Sequence, residues 1–83
     1  MHAIVIKIKA LPDYKLHAIF KNGEIRIYDV TSWIKNHAAF APLATMKGLF
    51  EQVKVDAGGF GISWNDDIDL DADELWFNGK IPA

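Results

Sequence analysis

Phe20-Lys21-Asn22-Gly23-Glu24-Ile25 is the stretch on which the reading of this chain turns. Asn-Gly between two alternating runs signals a β-hairpin, and a two-residue type I′ loop needs positive φ at both of its central residues. Such a loop sets the register: Lys21 faces Glu24, Phe20 faces Ile25, Ala18 faces Ile27 and Leu16 faces Asp29. Leu16, Ala18, Phe20, Ile25 and Ile27 then share one face, which is expected to be the buried one. The other face carries the Lys21–Glu24 pair, Ile19 beside Arg26, and His17 beside Tyr28.

Upstream of the hairpin, Ile4, Ile6 and Ile8 alternate with Val5, Lys7 and Lys9, the period of a first strand, and Leu11-Pro12-Asp13 ends it with turn chemistry. Downstream, Asp29-Val30-Thr31-Ser32 supplies capping residues for a short helix ending by Asn36-His37. Pro42 and Gly48 bound a second helical stretch. A second hairpin follows: Val53 and Val55, a turn at Ala57-Gly58-Gly59, then Phe60, Ile62 and Trp64. In the last segment Asp71 fits an N-cap, Glu74 the N3 position of a capping box, and Leu70 with Leu75 a hydrophobic staple. Asn78-Gly79 is the expected stop. These pieces predict one α+β domain over residues 1–83, with a small antiparallel sheet of about five strands (two hairpins plus an N-terminal strand) and two or three short helices.

The 83 residues are enough for one small core, and 51% of them are apolar. There is no cysteine, which excludes disulfides and thiolate chemistry. No run approaches the roughly 20 apolar residues of a membrane span. The N-terminal apolar run is short and soon charged, unlike a signal peptide, so cytoplasmic residence is the expectation. The net charge of −2 argues against autonomous nucleic-acid binding. Residues 1–50 carry a net charge of +4 and residues 51–83 a net charge of −6, so the chain is electrically polarised along its length.

The constellations that could carry chemistry are few. Asp66, Asp67, Asp69, Asp71, Asp73 and Glu74 crowd six carboxylates into nine residues. From either Asp67 or Asp69, the glycine and glutamate of a calcium loop are missing, so the run reads as helix capping and solvated surface. His2, His17 and His37 lack metal-ligand spacing. His17, Asp29 and Ser32 offer the residue types of a hydrolytic triad but no nucleophile elbow. Gly58-Gly59-Phe60-Gly61 is turn chemistry rather than a phosphate-binding fingerprint. No catalytic, cofactor-binding or metal-binding residue is therefore assigned, and no enzyme is expected.

Taken in order, Phe20-x-Asn-Gly-Glu-x-Arg-x-Tyr-Asp29, Leu43…Phe50, Val53-x-Val-Asp56, Ile62-x-Trp64 and Asp67-Ile-Asp69-Leu…Asp73-Glu-Leu75 resemble the bacterial domain-of-unknown-function family 2442, from about Ile4 to Gly79. The resemblance implies a small α+β domain with an antiparallel sheet and brings no catalytic residue with it. It also implies a genetic setting similar to toxin–antitoxin pairs. Some relatives add a C-terminal helix-turn-helix, for which no counterpart is expected after Ala83. The expectation is a non-enzymatic interaction or regulatory module, the antitoxin-like partner of a second small protein, with a homodimer also compatible. The alternative is a ligand- or partner-sensing module. The expected contact residues are His17, Ile19, Arg26 and Tyr28 on the mixed strand face, with Asp66 and Asp67 in the acidic segment.

Overall fold

A computed structural model describes residues 3–83, and His2 lies outside the described residues. Two three-stranded antiparallel meanders follow one another, each with helix after it. The first meander, sheet A, is β1 (Val5–Leu11), β2 (Lys15–Phe20) and β3 (Ile25–Asp29), followed by α1 (Thr31–Asn36) and α2 (Pro42–Thr45). The second, sheet B, is β4 (Lys54–Val55), β5 (Gly61–Asn65) and β6 (Ile68–Asp71), followed by α3 (Ala72–Asn78). The α+β class with antiparallel pairing and three helices is as expected. The single sheet of about five strands is corrected to two separate three-stranded sheets, six strands among the described residues.

The sixth strand comes from the acidic run. Asp67, Asp69 and Asp71 alternate with Ile68, Leu70 and Ala72, and the three apolar residues are buried while the acids are exposed. That is the period-2 pattern of a half-buried strand, written with aspartates on the wet face. Asn65 makes the turn into it, accepting hydrogen bonds from the Asp67 and Ile68 amides at 2.9 and 3.0 Å. In the same sheet, β5 starts one residue later than the alternation suggests: Ile62 and Trp64 are buried, but Phe60 ends the preceding 3₁₀ turn and is 58% exposed.

The hairpin of sheet A falls where Asn22-Gly23 places it, but its loop has three residues. The Gly23 amide donates to the Phe20 carbonyl at 2.8 Å, and the Phe20 amide donates to Glu24 at 2.9 Å. Gly23 sits at φ +89°, while Asn22 is not among the described residues with positive φ. This is a turn closed by a left-handed glycine, the three-residue hairpin connection, and not type I′. The register moves by one residue: Ile19 faces Ile25, Ala18 faces Arg26, His17 faces Ile27 and Leu16 faces Tyr28. A one-residue slip turns every side chain of the strand over. Leu16, Ala18 and Phe20 are buried as expected, but their neighbours on β3 are Arg26 and Tyr28 instead of Ile25 and Ile27.

β1 also carries an irregularity. Val5 faces Phe20, Lys7 faces Ile19, and Ile6 between them is the extra residue of a bulge, 59% exposed. The bulge brings Val5, Ile8 and Ala10 to the inner side and Lys7, Lys9 and Leu11 to the outer side. One cluster of buried side chains joins both meanders: Leu16, Phe20 and Val30 from the first half meet Leu43, Phe50, Ile62, Trp64, Ile68 and Leu75 from the rest.

α1 ends at Asn36 and α2 opens on Pro42, as expected. Asp29 serves the start of α1 by accepting the Thr31 amide at 2.9 Å, although Val30 occupies the N-cap position. Asp71 is the N-cap of α3, with Leu70 and Leu75 both buried, yet no side-chain capping bond forms. Glu74 is drawn to other partners, described below. Gly79 ends α3 with φ −75°, so it is not needed for a left-handed turn. It is needed for close approach: a Cβ there would collide with the Leu75 carbonyl and lie 2.9 Å from Cβ of Arg26. Lys80 then bonds Ile27 through both backbone groups, at 2.8 Å each, covering part of the free edge of β3.

Candidate interaction site

The slipped register divides the six expected contact residues into three groups. Arg26 and Tyr28 lie on the inner face of sheet A, 7% and 5% exposed, under α3. The Arg26 guanidinium lies 4.0 Å from the centre of the Trp76 ring, its Nε donates to the Trp76 carbonyl at 3.3 Å, and Nη1 donates to Glu24 and to the Ile25 carbonyl, each at 3.0 Å. A buried cation is thus matched by a ring face, by a carbonyl in the last turn of a helix, and by one carboxylate. The Tyr28 hydroxyl donates to Glu74 at 2.6 Å and accepts from the Trp33 indole at 2.7 Å, and Asn78 donates to the other Glu74 oxygen at 2.9 Å. Burial first, and then the Glu74 carboxylate, push the Tyr28 phenol well above its ordinary pKa. Both residues fasten α3 and α1 onto β3, and neither is available as an exposed anchor. Their expected place on a partner-facing strand surface is therefore corrected.

His17 and Ile19 lie on the outer face, and the slip gives them new neighbours. Across the three strands, one row reads Lys7, Ile19, Ile25, the next Lys9, His17, Ile27, and the last Leu11, Lys15, Asp29. Four apolar side chains (Leu11, Ile19, Ile25, Ile27) stand there partly exposed, and none is among the described residues packed against the core cluster. The helices reach sheet A through its inner face: Trp33 and Glu74 touch Tyr28, and Trp76 touches Phe20 and Arg26. Lys15 and Asp29 face each other, and Asp29 is held below the usual carboxylate range by hydrogen bonds from Thr31, with smaller help from Lys15 and Lys80. Among the described residues, that leaves Lys7 and Lys9, both exposed, as the unbalanced charges along the β1 side. The outer face of sheet A is an apolar patch with a basic rim.

Asp66 and Asp67 occupy the exposed turn between β5 and β6, in the other sheet. The wet side of that sheet reads Lys54, Ser63, Asp69 and then Gly61, Asp71 across its rows, with no large apolar residue. Two open clefts border its acids. One, of about 300 Å³, is lined by Trp33, Asp69, Leu70, Asp71 and Glu74, and the other, of about 460 Å³, by Ala3, Phe60, Asp71 and Asp73. Asp73 accepts the Ala3 amide at 2.7 Å. Among the described residues no group of three His, Cys, Asp or Glu side chains is placed to hold a metal ion. His17 is on the outer face of β2, whereas Asp29 is engaged with Thr31 at the end of β3.

Ile25 and Ile27, expected on the buried face, lie on the outer face, and Leu11, Lys7, Lys9 and Lys15 join them there without having been expected as contact residues. The missing signal was the loop type. Asn-Gly serves a type I′ turn and a glycine-closed three-residue loop alike, and alternation alone favours putting isoleucines inside. No helix among the described residues is long and apolar enough to cross a membrane. Compared with the curated proteins and with the solved structures, the chain finds no match. Compared with protein families, residues 5–80 match the protein of unknown function (DUF2442), and the chain belongs to that family.

Proposed function

We propose that this chain is a non-enzymatic protein-interaction module that regulates a second small protein, antitoxin-like, by seating it on the outer face of sheet A. The observation that supports the reading most is the composition of that face: Ile19, Ile25, Ile27 and Leu11 partly exposed around His17, outside the core cluster. Antiparallel sheets commonly leave one face to water, and that face is then polar, as in sheet B. Contiguous exposed apolar surface with a polar rim is the composition of a protein contact. Cytoplasmic residence belongs to the same proposal.

The test uses tagged protein from its native host, with quantitative mass spectrometry of what co-purifies, for wild type, Ile25→Glu/Ile27→Glu and Asp66→Asn/Asp67→Asn. A stoichiometric protein held by wild type and by the aspartate variant, but lost by the isoleucine variant at an unchanged melting temperature, is the expected outcome. Equal retention by all three contradicts the reading. A ligand-sensing module is the second reading, favoured by the cleft in which the Trp33 indole stands beside Asp69, Asp71 and Glu74. A small molecule that co-purifies and whose removal lowers the melting temperature would put that reading first.

A further inference from the structure

The charge pattern of the same face says what kind of surface it accepts, an inference that rests on the interaction reading above. Ile19, Ile25 and Ile27 form the apolar centre, and Lys7 and Lys9 on the β1 side have no carboxylate partner among the described residues, while the charge of Lys15 is met by Asp29. A partner that buries the isoleucines brings its own rim against these two ammonium groups. A basic rim would set like charges together at short range, and a neutral one would leave the lysines without compensation. A second copy in the same pose presents the same lysines and meets the like-charge cost. Single-stranded nucleic acid uses aromatic platforms, and this face has three isoleucines at its centre.

We infer that the outer face of sheet A binds a protein element that is apolar at its centre and acidic at its edge, such as an amphipathic helix with a carboxylate-bearing rim. The carboxylates act on encounter rate and orientation, and the isoleucine contact sets the lifetime of the complex. Salt weakens the first contribution and leaves most of the second.

The experiment titrates the isotopically labelled full chain with three synthetic amphipathic helices of about 18 residues, five turns long, that share a leucine face and carry Glu, Gln or Lys on the rest. Amide shifts report where each binds. The expected result is that the Glu peptide perturbs Lys7, Lys9, Ile19, Ile25 and Ile27 and binds about tenfold more tightly than the Lys peptide at low salt. Lys7→Glu/Lys9→Glu reverses the preference, and Lys7→Gln/Lys9→Gln abolishes it if the charge-reversed chain does not fold. Binding at this face without rim preference overturns the acidic partner but keeps the interaction site. If no peptide perturbs the face, both fail. Concentration-dependent shifts of the same amides, with a dimer in sedimentation, identify a second copy as occupant and overturn the inference. So does tighter binding of a single-stranded RNA oligomer there.

Discussion

The two meanders have one topology and differ in the polarity of one strand. In sheet B the inner residues are Ile62, Trp64, Ile68 and Leu70, and the outer ones are Ser63, Asp69 and Asp71, as the hydrophobic effect prescribes for a sheet with one wet face. In sheet A the third strand is turned over: Arg26 and Tyr28 face the core, and Ile25 and Ile27 face out. The two inward polar residues are accommodated by α3, which brings them Trp76, Glu74 and a helix-end carbonyl, together with Glu24, the Ile25 carbonyl and the Trp33 indole. Burying an arginine and a phenol without such partners would cost several kcal/mol, by the usual penalty for unpaired buried polar groups. Sequences agree with their fold at every level except where function or strain intervenes. The third strand of sheet A breaks the rule, and it builds the one apolar outer face of the two.

The largest expected effect lies on the inverted strand. Tyr28→Ala removes a buried ring and leaves Glu74 and the Trp33 indole without their partner, so the loss is about 3 kcal/mol or more by the cost of large-to-small core changes. Ile27→Ala, at the preceding residue, should cost well under about 1 kcal/mol, as surface changes do. Chemical denaturation of the two variants side by side checks the pair, and the reverse order would restore the type I′ register. Ile62→Ala supplies the ordinary core reference in sheet B, at about 2–5 kcal/mol.

A somewhat smaller effect is expected where α3 closes on β3. Gly79→Ala puts a methyl group against the Leu75 carbonyl and Arg26, and overpacking of this kind costs about 1–3 kcal/mol. Gly23→Val forces a β-branched residue to positive φ and costs more than about 1 kcal/mol. Gly79→Ala should also loosen the Lys80–Ile27 pairing, visible as faster amide exchange at Ile27, whereas Gly23→Val should not.

Alkaline pH gives a subtler contrast. The Tyr28 phenol is raised above its ordinary value of 10.0 in the folded chain. Below pH 10 it is neutral in both folded and unfolded states, so its contribution to stability is fully present. Above pH 10 it ionises first in the unfolded chain, and that contribution is lost as pH climbs toward the folded pKa. Denaturation midpoints between pH 9 and 11 should therefore fall more steeply for wild type than for Tyr28→Phe. Parallel slopes would mean that the phenol is not held neutral against Glu74.

Much of this architecture was legible in the residues, and the misses have physical causes. Asn22-Gly23 located the hairpin, Pro42 the start of α2, and Asp71 the N-cap of α3, because each depends on chemistry within a few residues. The register of β3 does not. It is decided by whether Arg26 and Tyr28 find partners about fifty residues further along, in Trp76 and Glu74, and alternation within Ile25–Asp29 favours the opposite face. The same reach explains Glu74, whose place at N3 fits a capping box locally but whose carboxylate is claimed by Tyr28 and Asn78. β6 is hard to read locally for another reason: six carboxylates suit helix capping and solvated surface as well as the wet face of a strand, and the alternation of Ile68, Leu70 and Ala72 lies between them. Of the expected contact residues, His17 and Ile19 lie on the face proposed for the partner, beside Ile25 and Ile27, which alternation alone places in the core.

The inversion of β3 can be measured directly from cross-strand contacts. Ile27 spends its backbone groups on Lys80, so its pairing with His17 is of the non-hydrogen-bonded kind, in which opposed Cα atoms come within about 4.5 Å. Nuclear Overhauser spectra should therefore show strong Hα–Hα contacts for His17 with Ile27, Ile19 with Ile25, and Lys15 with Asp29. Contacts of Ala18 with Ile27 and Phe20 with Ile25 in their place would return the isoleucines to the core, expose Arg26 and Tyr28, and contradict the account of the outer face.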